Sequence, residues 1–304
     1  MKSLNYFKAL ADETRIRLFN ILLNNELSVN ELVSLMDMGQ SRISRHLRIL
    51  TDSGLLQCRR DGIWAFYSVS KSAGEKEFAE ALRSLFMDEP ELTEDLNSVE
   101  LLLNDRKKKS KQFFNRIASE WDDLQQQIMG DFDLNGAILK HIGSCNLAVD
   151  LGCGTGKLLN KLKGLAAVTV GVDSSPEMLE QARKLFSKEN GNVKLRLGEL
   201  EHLPIGDREA DCAIISMALH HLSDPAKAVA EAARILNTKG KLIIAEFEKH
   251  QNEIMREKYG DRWLGFSKEE MESFLTGKGF ALKVLESFPM NQSLKLNIYK
   301  SEKM

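Results

Sequence analysis

The residues of this chain best suited to chemistry sit at alternate positions in its second half: Asp150, Gly152, Gly154 and Gly156. An apolar run from Leu147 to Leu151 leads into them, and an amphipathic run from Lys157 to Leu162 follows. That pattern predicts a strand, a tight turn and a helix start, with backbone that a ligand can approach closely. More polar groups follow later apolar runs: Asp173 and Ser174, then Glu199, then the paired His220 and His221. Imidazoles titrate near neutrality, so the pair could act as general bases, or it could shape its loop and contact a ligand. Metal ligation would need partners that the sequence does not display. Cys153, inside the turn, reads as a small packed side chain rather than a nucleophile. A second chemistry belongs to the first half. Ser41, Arg42, Ser44, Arg45 and Arg48 lie opposite an apolar helical face, and Arg59 and Arg60 follow. Such groups suit the phosphates and base edges of nucleic acid.

Positioning the first set requires an α/β fold. Apolar runs at 147–151, 168–172, 193–197, 212–217 and 241–247 alternate with helical segments. Two of those helices open on a capping residue and a proline, Ser175-Pro176 and Asp224-Pro225. A late strand pair at 282–286 and 294–299 closes the chain. The order predicts a doubly wound sheet whose ligand lies beyond the carboxyl ends of the strands.

Positioning the second set requires a small helical head. Asp12 can cap one helix, and Ser28-Val29-Asn30-Glu31 forms a capping box for the next. Met38-Gly39 breaks that helix, and a new one from about Gln40-Ser41 buries Ile43, Leu47 and Leu50 before Gly54 stops it. Asp61-Gly62, between two β-prone runs, signals a hairpin. Helix, turn, recognition helix and hairpin together predict a winged helix-turn-helix over residues 1–71, with Arg59 and Arg60 beside the wing tip to neutralise phosphates.

Residues 72–110 read as a helical segment. Its two apolar stripes are Phe78, Leu82, Leu85 and Phe86, then Leu92, Leu96, Val99 and Leu103. They can pack between subunits or against the second domain. The run Arg106-Lys107-Lys108-Lys109, within Asn104 to Ser110, reads as an exposed hinge before a second domain at 111–304.

Bulk properties fit. A chain of 304 residues allows about two domains, and its net charge of −2 hides a local basic patch inside the head. The four cysteines form no C-x-x-C pair, which suits a reduced compartment. No signal-peptide core or membrane-length apolar run is seen, so the expectation is a cytoplasmic protein with no membrane or metal partner.

Two resemblances carry the reading further. Residues 4–71 resemble the ArsR/SmtB winged-helix family, through Leu10-Ala11-Asp12-Glu13-Thr14-Arg15-Ile16-Arg17-Leu18, Ser41-Arg42-Ile43-Ser44-Arg45-His46-Leu47 and the exit from Leu50 to Leu56. The family implies homodimers that bind a double-stranded DNA operator and usually repress. Its Cys-Val-Cys metal site reads Ser28-Val29-Asn30 here, and residues 72–104 hold no His for its other site. The second half resembles class I S-adenosylmethionine-dependent methyltransferases, with a Rossmann-like sheet. Asp150-x-Gly152-x-Gly154-x-Gly156 matches their first motif, Gly198-Glu199-Leu200-Glu201-His202-Leu203-Pro204 their acidic loop, and Ser216-Met217-Ala218-Leu219-His220-His221-Leu222 the loop after the fourth strand. The resemblance implies an amino-acid arm along the glycine turn, with Cys153 within it. It places ribose hydroxyls on Asp173, adenine beside Ser174, Met178, Glu199 and Leu200, and Met217 and His220 beneath the methionine arm. Phe113-Phe114 to Trp121-Asp122 resembles a helical cap over the cofactor.

Joined, the halves resemble regulators that answer to S-adenosylhomocysteine or S-adenosylmethionine and control methionine-cycle genes. The first expectation is such a regulator, a repressor, with the homocysteine form favoured as signal by resemblance. The alternative is an active small-molecule methyltransferase with a DNA-binding head, its acceptor pocket under 113–132 and 247–266, where Trp121, Trp263 and Phe266 could line it or be core. A nucleic-acid methylase lacks its D/N-P-P-Y/W motif.

Overall fold

The computed structural model describes residues 1–70, 73–86, 89–187 and 192–304. The expected boundary at Lys71 and Ser72 lies outside them. The chain divides into two compact units, Met1–Arg106 and Lys107–Met304.

The first unit runs α1 (Lys2–Leu10), α2 (Glu13–Leu22), β1 (Leu27–Ser28), α3 (Val29–Met36), α4 (Gln40–Asp52), β2 (Leu56–Asp61), β3 (Trp64–Val69), α5 (Ala73–Phe86) and the start of α6 (Pro90–Ile117). Local chemistry sets its helix ends. Asp12 accepts the Arg15 N–H at 3.1 Å, and Ser28 with Glu31 closes the capping box on α3. Asp37 ends α3 in the left-handed region, and Gly39 opens α4. Ile43, Leu47 and Leu50 bury the inner face of α4 completely. Strands β1, β3 and β2 form an antiparallel sheet in that order. Asp61 pairs with Trp64, so the hairpin loop is Gly62-Ile63, one residue later than the Asp61-Gly62 signal suggests. Gly62 takes φ +57° at the first loop position, as two-residue hairpins favour.

The helical stripes behave differently from either expectation. Phe78, Leu82, Phe86, Leu102 and Leu103 pack on the head's own core, which includes buried Val99, while Leu85 and Leu96 stay exposed. Polar groups explain the docking. Arg17 holds Asp95 through two hydrogen bonds of 2.9 and 2.7 Å, and the Asn20 amide donates to the Leu92 carbonyl at 3.1 Å. The run Asn104–Ser110, expected as an exposed hinge, holds the division between the two units but is helical: α6 is continuous there, because no Gly or Pro interrupts it after Pro90. Arg106 pairs with Glu31, whose other oxygen serves the α3 cap. Lys107 faces Glu201 at 3.6 Å.

The second unit continues with α7 (Trp121–Met129), α8 (Leu134–Leu139), β4 (Cys145–Leu151), α9 (Lys157–Leu162), β5 (Ala166–Asp173), α10 (Pro176–Phe186), β6 (Val193–Leu197), β7 (Ala210–Ser216), α11 (Pro225–Ile235), β8 (Leu236–Phe247), α12 (Ile254–Tyr259), α13 (Lys268–Thr276), β9 (Phe280–Pro289) and β10 (Lys295–Lys303). Its seven-stranded sheet has the order β6-β5-β4-β7-β8-β10-β9. The first five strands of that order are parallel, and β10 runs antiparallel to both neighbours. The strand order reverses between β4 and β7, which opens a crevice at their carboxyl ends. Strand interiors such as Val149, Leu151, Ile214, Ile243 and Ile244 are fully buried, as a sheet covered on both faces requires. Ser175 and Asp224 cap α10 and α11 ahead of their prolines, as expected. No helix among the described residues is long and apolar enough to cross a membrane.

Asp95→Ala should lower the stability of the head by about 2 kcal/mol, since it strips a charged hydrogen-bond pair from Arg17. Urea unfolding checks this, and an unchanged midpoint would contradict the docking of α6 on α2.

Candidate ligand site and nucleic-acid face

At the crevice, the glycine turn lies between the end of β4 and the start of α9. Gly152, Gly154 and Gly156 take φ values of +80°, +50° and +82°. At Gly152 a Cβ would come within 2.9 Å of the Ala218 Cβ, so both the dihedral and the close approach of the β7 loop demand glycine. The turn is anchored from the next strand. Asp173 accepts the Gly154 N–H at 2.9 Å and the Ser175 N–H at 2.8 Å. Thr155 donates to Asp122 at 2.8 Å, and Lys157 pairs with the same carboxylate at 3.1 Å, which ties α7 to the turn.

A cavity open at its mouth sits on this turn. Of the residues singled out from sequence, Asp150, Gly152, Cys153, Gly154, Asp173, Ser174, Met178, Leu200 and Met217 line it. Gly156, Glu199 and His220 do not. Gly156 is the N-cap of α9, with Ala182 and Phe186 against it. Glu199 bridges to His202 in its own loop. His220 turns away because Leu219–His221 is a single 3₁₀ turn, in which successive side chains point about 120° apart. His221 takes the wall position instead, edge-on to Phe114 at 4.7 Å and near Trp121, both of which also line the cavity. Trp121 thus borders the cavity as anticipated. Trp263 and Phe266 are core side chains, 2% and 3% exposed, and the Trp263 indole N–H donates to the Leu222 carbonyl at 2.9 Å.

The electrostatics are unusual for carboxylates. Burial, with the nearby charge of Asp173, pushes the Asp150 carboxyl up to about 7. Burial also raises Asp173, against the three backbone N–H groups that favour its charged form. Burial raises the Cys153 thiol well above its ordinary range, which leaves it a packed side chain and not a nucleophile.

Behind the cavity wall lies a cluster that the sequence did not reveal. His220 Nδ1 meets Glu246 Oε1 at 2.5 Å, and its Nε2 faces Asp261 Oδ1 at 3.6 Å. Burial opposes the imidazolium, but the charges of Glu246 and Asp261 and the Glu246 hydrogen bond outweigh it, lifting His220 to about 9. Burial and the adjacent His220 hold His221 far below its ordinary value, and its Nδ1 lies 3.2 Å from the Gly260 carbonyl oxygen. Asp261, the missing partner for the histidines, comes from the segment after α12. Only its place in the fold identifies it.

In the head, Ser41, Arg42, Ser44, Arg45 and Arg48 are all exposed on α4, opposite its buried face. Arg60 is exposed on the wing. Arg59 is not available in the same way: it pairs with Glu26 at 2.9 Å and with the fully buried Asp61 at 3.0 Å, and lies over the Phe66 ring. The expectation that it neutralises phosphate is therefore withdrawn, since binding DNA would strip a buried carboxylate of its cation.

Comparison with known proteins places each half. Residues 12–57 match the family described as bacterial regulatory protein, arsR family, and residues 149–244 match that described as methyltransferase domain. An uncharacterized 37.1 kDa protein in transposon TN4556 of Streptomyces fradiae is 41% identical over 33% of this chain, and the chain spans only 29% of that protein. The ubiquinone/menaquinone biosynthesis C-methyltransferase UbiE of Marinomonas sp. is 26% identical over 57% of this chain and 72% of its own length. Among solved structures, a possible histamine N-methyltransferase from Thermotoga maritima shares the fold at a TM-score of 0.51, with 24% identity over 63% of this chain and 98% of that one. The chain thus joins a segment that matches the arsR family of bacterial regulatory proteins to one that matches the methyltransferase domain.

Proposed function

We propose that the chain is a DNA-binding transcriptional regulator of the cytoplasm, a repressor, whose methyltransferase domain binds S-adenosylhomocysteine or S-adenosylmethionine as its signal. The observation that carries this reading is the coexistence of two complete faces in one chain. One is an exposed row of Arg42, Arg45 and Arg48 on the recognition helix, opposite its buried face. The other is a cavity whose glycine turn and Asp173 suit a nucleoside with an amino-acid arm. Asp173, held by the Gly154 and Ser175 N–H groups, lines the cavity as an acceptor suited to ribose hydroxyls. A homodimer is part of the proposal, and Phe7, Leu85 and Leu101, left 58%, 68% and 71% exposed on helices α1, α5 and α6, support it. Control of methionine-cycle genes is part of the proposal through the resemblance to such regulators alone.

The second reading, methyl transfer to a small acceptor, is favoured by the match to a curated C-methyltransferase across more than half the chain. Transfer needs little beyond an in-line acceptor and exclusion of water.

Three outcomes are expected. Fluorescence anisotropy with DNA from the gene's own upstream region should show operator affinity changed by one of the two ligands in the wild type and unchanged by either in Asp173→Ala. Indifference of the wild type to both would move the assignment to the methyltransferase reading. Arg45→Ala should weaken DNA binding by about 1–3 kcal/mol without altering ligand affinity. Ligand affinity should also fall as pH drops below about 7, where the Asp150 carboxyl takes up its proton and loses its hold on the ligand's ammonium group. The limit is about tenfold per pH unit, read by calorimetry.

A further inference from the structure

We propose that His220, His221 and Asp261 form a binding site for one late first-row divalent metal ion, of the Zn²⁺ class, beside the S-adenosyl cavity. The site is independent of the ligand assigned to that cavity, and it is far in sequence from the positions Ser28-Val29-Asn30 of the head.

The geometry points to an ion. One ligating atom from each of the three side chains lies within 4.8 Å of the other two. His220 Nε2 and His221 Nδ1 stand 3.6 and 3.8 Å from Asp261 Oδ1. Those separations are too long for hydrogen bonds. Zinc–ligand bonds of about 2.0–2.1 Å would set tetrahedral donors roughly 3.3 Å apart, so side-chain adjustment is enough to close the set on an ion. Two imidazoles and a carboxylate are a donor set typical of such metals, with a further position left for water or a ligand.

Two further observations are independent of spacing. Asp261 is 5% exposed, and both its carboxylate oxygens are buried without a hydrogen-bond partner. A buried carboxylate in that condition is costly, and a cation at the histidines would relieve it. The Arg256 side chain, whose charge acts on Asp261, hydrogen-bonds to Glu253 and to the Arg262 carbonyl. The second observation is the support behind His220. Glu246 accepts its Nδ1–H at 2.5 Å while itself held by the Phe247 N–H at 2.8 Å. That bond makes Nδ1 the donor to Glu246 and leaves Nε2 facing Asp261, where a bound ion takes the place of the Nε2 proton, as at metal-bound histidines backed by carboxylates. On the other flank, His221 gives up its contact with the Gly260 carbonyl to bind through Nδ1. Because His221 also walls the cavity, a bound ion pins the segment after α12 to that wall.

The test uses the full chain, stripped with a chelator and titrated with Co²⁺ as a spectroscopic probe, then with Zn²⁺. One equivalent of Co²⁺ should bind per chain with visible ligand-field bands, and Zn²⁺ should displace it. Asp261→Asn, which keeps the side-chain shape, and His221→Gln should each abolish the bands. Glu246→Gln should weaken binding about 10- to 100-fold, and His202→Gln, an exposed histidine elsewhere, should change nothing. Failure of the wild type to bind Co²⁺ stoichiometrically would overturn the site. So would bands that survive both Asp261→Asn and His221→Gln.

Discussion

The second unit depends on one constraint: Asp173, at the end of β5, holds the Gly154 N–H of the turn that ends β4. The bond ties two adjacent strand ends together and keeps a left-handed glycine turn open toward the crevice. The same carboxylate accepts the Ser175 N–H, and Ser175 caps α10, so strand end, turn and helix start share one anion. The cost is electrostatic. Asp150 is buried and Asp173 half-buried at the same edge; desolvation raises both carboxyls, and the charge of Asp173 raises Asp150 further. Two carboxylates so placed suit the cationic, hydroxyl-bearing ligand proposed for this cavity.

Local signals were legible in the sequence because their causes are local. The capping box at Ser28, the caps at Asp12, Ser175 and Asp224, and the glycine turn all act within a few residues. The doubly wound class of the sheet followed from alternation, and the buried face of α4 from its helical spacing. What failed were features whose partners are remote. The basic run at 106–109 reads as solvated until Glu31 and Glu201 are brought to it. Arg59 reads as a phosphate contact until Glu26 and the buried Asp61 claim it. The apolar stripes of α5 and α6 read as packing between subunits or against the second domain until the fold brings much of them onto the head's own core, with Arg17 and Asn20 holding α6 through Asp95 and the Leu92 carbonyl. His220 and His221 were legible as a pair, but a 3₁₀ turn decides which of them sees the cavity, and Asp261 becomes visible only after the fold is formed.

Each unit keeps its own chemistry. The head carries exposed cations on a rigid helix, and the second unit carries buried anions around a cavity. A regulator needs the two to be coupled, so that the ligand binds unequally to the DNA-competent and incompetent states. Binding linkage is reciprocal: whatever factor the ligand imposes on DNA affinity, DNA must impose on ligand affinity.

The most direct measurement is therefore calorimetric titration of S-adenosylhomocysteine, and separately S-adenosylmethionine, into the full chain with and without saturating operator DNA. The account predicts that DNA changes the Kd of the signalling ligand by the same factor that this ligand changes the Kd of DNA, in the range of about 5- to 150-fold. Identical ligand affinities with and without DNA would contradict it.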